Sequence, residues 1–263
     1  MAAKAAPKTT QNQSAPRLAV GSYWRQSRRP LASLAFVVPL LLLYEGGVLV
    51  LGPQAVRNGA DVWLRQILDT LGFTQYFLLP ALTVGLLLAW HHLARDRWQL
   101  SAVVLYVMFA ECAVLGLLLL CLARVEGLVA QIAIWGAGEA EPVGLAVPWV
   151  MAGRGAFLGR TLGFVGAGVY EEVLFRLMLF PPIAVFAKRL GARPAWRVAG
   201  AIVLTSLVFA AAHYVGPQGE AFEAFTFCFR FTAGAFFAVL FVYRGFGIAA
   251  GTHALYDIFV SLS

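Results

Sequence analysis

Three short groups of ionisable residues fall inside apolar runs of the sequence, where a charged side chain is costly and usually paired or functional. The first is Tyr170-Glu171-Glu172-Val173-Leu174-Phe175-Arg176. Neighbouring residues on a helix point about 100° apart, so the two glutamates face different ways. Glu172 and Arg176 are four residues apart with the acid first, the better order for an ion pair along a helix. Glu171 is then left to face something else. The second group is Phe209-Ala210-Ala211-Ala212-His213, whose small residues let another backbone approach closely. The third is His253-Ala254-Leu255-Tyr256-Asp257, which puts imidazole and carboxylate on one helix face. There the carboxylate can orient the ring and raise its basicity, or both groups can hold a metal ion.

Amide hydrolysis needs an activated water, stabilisation of an oxyanion and a proton for the leaving amine. Glutamates, histidines and a buried arginine can supply all three. A carboxylate short of water is also a stronger base than one in bulk solution. The same inventory equally serves a buried ion network or a proton relay. The remaining histidines, His91 and His92, sit beside Arg95-Asp96-Arg97 at an expected interface and read as solvated or lipid-facing surface residues.

The elements that carry these groups belong to a membrane. Of 263 residues, 60% are hydrophobic and 13% charged, about half the charge of soluble domains, and mean hydropathy is +0.77. That composition excludes a soluble enzyme, and continuous apolar runs exclude an alternating transmembrane barrel. The fold class is all-α: a polytopic transmembrane helical bundle of about seven spans (six to eight) around an intramembrane polar cavity. The spans are expected near 31–52, 73–93, 101–123, 155–187, 197–215, 223–243 and 247–262. The fourth is expected to kink or break at Pro181-Pro182. The stretch 53–72 reads as an interfacial helix, and 125–152 as a surface or re-entrant segment.

Three regions follow: a basic disordered cytoplasmic tail over 1–30, membrane helices and a loop over 31–154, and the motif-bearing core over 155–263. The net charge of +7 does not point to nucleic acid, because Lys and Arg lie mainly between apolar runs. Thirteen of them fall on segments assigned inside and four outside, which orients the N-terminus to the cytoplasm of a multi-pass membrane protein. Cys112, Cys121 and Cys228 lie within apolar runs and read as small hydrophobes. Glu45, Glu111, Arg160 and Arg230 read as cross-helix pairing. Depth is harder to reconcile: at about 1.5 Å per residue, His213 lies roughly 24 Å from the inner end of its span and His253 about 10 Å.

Taken together, EExxxR at 171–176, FxxxH at 209–213 and HxxxD at 253–257 resemble the CPBP family of intramembrane proteases. That family includes CAAX prenyl endopeptidases of the Rce1 type and their bacterial relatives. The resemblance covers about residues 160–260. It implies a helical bundle with a catalytic cavity inside the membrane, in a bacterial plasma membrane. It further implies that Glu171 is the general base and that Glu172 with Arg176 is the positioning ion pair. His213 and His253 would orient the water or stabilise the oxyanion. Asp257 stands where the family commonly has Asn; an ionised carboxylate cannot donate to an oxyanion, whereas orienting His253 stays open to it.

No cofactor is required by this reading. Its metal alternative is a zinc ion held by His213, His253 and Asp257, with Glu171 as base. The implied reaction is endopeptidase cleavage of a membrane-associated or lipidated protein or peptide, prenylated proteins included, with the lipid bilayer as the other partner. A different class is a non-catalytic maturation or immunity partner that keeps the fold. A proton-coupled transporter ranks last, since no internal repeat is visible.

Overall fold

A computed structural model describes residues 20–52, 55, 57–135, 154–216 and 219–263, and among these it contains helices and no strand. In chain order the helices are α1 (Val20–Ser27), α2 (Pro30–Leu51), α3 (Gly59–Thr70), α4 (Leu78–Ala94) and α5 (Ala102–Trp135). They continue as α6 (Arg154–Glu172), a π-helical segment (Val173–Leu179), α7 (Phe180–Arg189), α8 (Pro194–Ala212), α9 (Ala224–Arg244) and α10 (Phe246–Leu262). The result is a polytopic helical bundle.

Each expected span coincides with a helix. α2, α5, α8 and α9 are long and apolar enough to cross a bilayer, while α4 and α10 are shorter apolar helices of 17 residues each. Local chemistry sets the ends. Proline stands in the first turn of α2 and α8, where its missing N–H costs nothing. At Gly245, φ is +91°, so the chain can turn from α9 straight into α10.

Four expectations need correction. His91, expected at the surface, is fully buried, with its ring at 85° to that of Trp98. The disordered tail over 1–30 does not hold for 20–27, which form α1 with Tyr23 and Ser27 buried; residues 1–19 lie outside the described residues. The span at 101–123 is the first part of a 34-residue helix. At roughly 50 Å, α5 outruns a hydrocarbon core of about 30 Å. Helix therefore replaces the expected surface segment as far as Trp135, and 136–152 lie outside the described residues. The helix over the fourth span does not break at Pro181-Pro182. It widens upstream into the π segment, and α7 then starts with those prolines in its first turn. Prolines at 181 and 182 cannot donate to the carbonyls one α-turn back, and their rings crowd them, so the wider turn absorbs the conflict.

α10 lies at the centre. Every residue from Phe246 to Ala254 is buried, and the helix packs against α5, α6, α9 and α2. Burial all round is the mark of a core helix rather than a lipid-facing one. α6 can reach it because of Gly168: a methyl there would stand 2.6 Å from both the backbone nitrogen and the Cβ of Ala254. This contact brings the glutamate pair of α6 beside the imidazole of α10.

Of the charges outside the motifs, Glu45 and Glu111 pair across helices, and Arg230 pairs with a residue of the α8–α9 connection. Arg244 of α9 donates to both carboxylate oxygens of Glu111 on α5, each at 2.6 Å, and to Ser27 of α1 at 3.1 Å. Tyr23 of α1 donates to the same Glu111, and the Arg244 guanidinium lies 3.7 Å from the centroid of Trp24. Arg230 pairs with Glu220 at 2.7 Å. Glu45 accepts from Arg65 at 2.8 Å and from Tyr170. Arg160 is half-buried on α6.

Candidate active site

The last turn of α6 and the π segment carry Glu171, Glu172 and Arg176; α8 ends on His213; the middle of α10 carries His253 and Asp257. Glu172 and Arg176 form the expected pair at 3.0 Å, and both are fully buried. A buried guanidinium needs further partners. Here it donates to the carbonyl of Gly234 on α9 at 2.9 Å and lies 4.9 Å from the ring centroid of Phe209. Gly234 is tight against α8, since a methyl there would come within 3.2 Å of the Ser206 Cα.

Glu172 has a second task that the sequence does not show. Its Oε1 lies 2.9 Å from Nδ1 of His253. An ionised carboxylate only accepts, so Nδ1 carries the proton and Nε2 is turned toward Glu171 and Asp257. Those two carboxylates stand 3.8 Å and 3.7 Å from Nε2, beyond direct hydrogen bonds. The group that orients His253 by a hydrogen bond is therefore Glu172, not Asp257 as expected from their spacing. Asp257 faces the same ring nitrogen at longer range. Phe237 of α9 stacks on the imidazole, with centroids 4.3 Å apart and planes 12° from parallel.

Glu171 is held differently. Its Oε1 accepts from the Asn58 side chain at 2.9 Å, while its Oε2 is buried with no hydrogen-bond partner. Asn58 precedes α3 and caps it, its Oδ1 accepting from the Ala60 N–H at 2.8 Å. The sequence does not single out Asn58. The one local signal is an Asn followed three residues later by Asp61 at a helix start.

α3 is pressed into place by a charged network. Asp61, fully buried, accepts from Tyr44 at 2.9 Å, Arg57 at 2.7 Å and Arg65 at 2.6 Å. Burial works against the Arg57 charge, but the hydrogen bond and charge of Asp61 outweigh it and push its pKa above the ordinary value. Through Glu45, the same network reaches Tyr170, next to Glu171 in the chain.

A cavity of about 220 Å³ lies between α3, the end of α6 and the α8–α9 connection, and Asn58, Glu171 and His213 share its wall. His213 caps α8, with Nδ1 2.8 Å from the Phe209 carbonyl. A carbonyl only accepts, so Nδ1 donates and Nε2 is left as an acceptor in the neutral ring. Phe209 spans the gap between the histidines, its centroid 5.0 Å from His213 and 5.9 Å from His253. The depth mismatch between them is thus bridged by an aromatic ring. Among the described residues, no three His, Cys, Asp or Glu side chains are grouped to hold a metal ion.

Neither a curated protein nor a solved structure matches the chain. Residues 154–259, which reach from α6 into α10 and hold all three motifs, match the family model described as type II CAAX prenyl endopeptidase Rce1-like.

Proposed function

We propose that the protein is an intramembrane endopeptidase in which Glu171 activates water to cut a peptide bond of a membrane-associated protein or peptide, with no cofactor. The observation that carries this reading is the state of Glu171. One carboxylate oxygen is pinned by Asn58, and the other is buried, unpartnered and 3.8 Å from an imidazole nitrogen at the wall of a cavity. A group left so in a low-dielectric site has bases and acids arranged around it for a reaction rather than for packing.

The steps follow from the donors and acceptors. Glu171 Oε2 takes a proton from water as its oxygen adds to the scissile carbonyl carbon, and His213 Nε2 accepts the second water proton as a hydrogen bond. The carbonyl oxygen becomes an oxyanion. His253, with Nδ1–H given to Glu172 and a second proton on Nε2, donates to it, and Asp257 favours the positive ring through space. Collapse breaks the C–N bond, and Glu171 returns its proton to the leaving amine. Arg176 pairs with Glu172 and holds it in place, so it acts through Glu172.

Asn58 enters this mechanism as a positioning residue. Asn58→Ser keeps a good helix cap but is too short to reach Glu171. A hydrogen bond to a charged group contributes about 1.5–3 kcal/mol, so kcat is expected to fall roughly 10–100-fold. KM and thermal stability should stay near the wild type. Steady-state kinetics and thermal unfolding of the purified variant check both.

The reaction itself is tested by comparing protein termini in cells making the wild-type chain with cells making Glu171→Gln at matched levels. Termini that vanish only in the variant establish a protease and identify its substrate. Identical termini, with a separate phenotype of the protein intact, would promote the non-catalytic partner instead.

A further inference from the structure

The two ends of the bundle differ in charge, and the cavity opens at only one of them. Contacts define the first end. Arg29, before α2, pairs with Asp96 in the α4–α5 turn at 3.7 Å, and Arg28 donates to the carbonyl of Val242 near the end of α9 at 3.4 Å. Gly245, at the start of α10, lies against the Arg28 backbone. Phe180 of α7 packs on Phe241, with centroids 5.6 Å apart, and α7 runs from there to the α7–α8 turn. This end gathers ten Lys and Arg, from α1 and the link after it, the residues around the two turns and Arg244, against the acids Asp96 and Glu111.

The opposite end holds the α2–α3 link, α3, the α8–α9 connection and the last residue of the chain. It carries fewer basic residues: Arg57 and Arg65, both held by Asp61, Arg124, which donates to Ser263, Arg154 at the start of α6, and Arg230, paired with Glu220. The cavity mouth is here: Gln66 of α3 and Val215 and Glu220 of the α8–α9 connection line it and are exposed. Trp63 of α3 lies beside Gly216 across the mouth.

Basic residues flanking membrane helices stay on the cytoplasmic side, and acids weigh little in that choice. We infer that the cavity opens on the non-cytoplasmic face, so that the substrate is a peptide segment presented on that face rather than a protein lipidated in the cytoplasm. This rests on the proteolytic reading for the word substrate, but not for the direction of the opening. His213, placed by its span far from the inner end, sits at the mouth on this account.

Accessibility decides the matter. In a chain with Cys121→Ala and Cys228→Ala, Gln66→Cys and, separately, Glu220→Cys report the mouth, and Gln99→Cys reports the basic end. Spheroplasts are treated with a membrane-impermeant maleimide before and after lysis. The expected result is at least tenfold faster labelling of the mouth positions than of Gln99→Cys before lysis, with the difference lost after it. Mouth positions that react only after lysis, with Gln99→Cys reacting before it, overturn the inference. The substrate half is read from the termini that depend on Glu171. Cut sites facing the non-cytoplasmic side support it, and cut sites in cytoplasmic lipidated tails overturn it. Should no termini depend on Glu171, the proteolytic reading and the substrate half fall together, while the labelling still fixes the direction of the opening.

Discussion

Glu171→Gln in the purified protein is expected to lower kcat by about 10²–10⁴-fold, the range a positioned general base contributes. The substitution keeps the size of the side chain and leaves an oxygen for Asn58 to donate to, so KM and unfolding temperature should change little. The free Oε2 explains the size of the effect. It has no hydrogen-bond partner to lose, and its charged neighbour, Nε2 of His253 at 3.8 Å, is itself part of the site. A variant with kcat within threefold of the wild type would remove Glu171 from the base role. Single-turnover cleavage of a peptide bearing the cut site found in cells is the measurement to make.

Arg176→Met should act on the fold first. The guanidinium is buried against Glu172, the Gly234 carbonyl and the Phe209 ring. Its removal leaves a buried carboxylate without its cation, a change that costs about 3–5 kcal/mol. Denaturant unfolding in detergent micelles should show that loss. Adding Glu172→Gln removes the stranded charge, and replacing both partners of a buried pair is often close to neutral, so stability should largely return. Activity should not return with it, because the carboxylate at His253 Nδ1 is gone. Recovery of stability and activity together would show the pair to be scaffolding alone.

Much of this was legible in the sequence because apolar runs and fourfold spacing are local signals. The seven apolar segments fall on helices, and the Glu172–Arg176 pair forms as its spacing suggests. The three motifs reach one neighbourhood around Phe209. What the sequence hid depends on which helices touch. Asn58 meets Glu171 across 113 residues, and only because the Asp61 and Glu45 networks fold α3 back against α6. The partner of His253 was misplaced for the same reason. Asp257 is near it along the helix, but Gly168 lets α6 approach until Glu172 is nearer. At the prolines the helix had a choice that a residue pattern does not encode, to break or to widen, and it widened before reaching them.

The stack of Phe237 on His253 also gives the protein a built-in spectroscopic reporter. Protons held over the face of an aromatic ring are shielded by its circulating electrons, so the His253 ring signals belong upfield of the ordinary histidine region. The chain has four histidines. His91 meets Trp98 edge-on, as His213 meets Phe209, and His92 is exposed. With histidine as the only labelled residue type, the stacked ring, identified by its loss in a His253→Gln variant, would report on the centre of the site without a probe being attached and without a substrate being known.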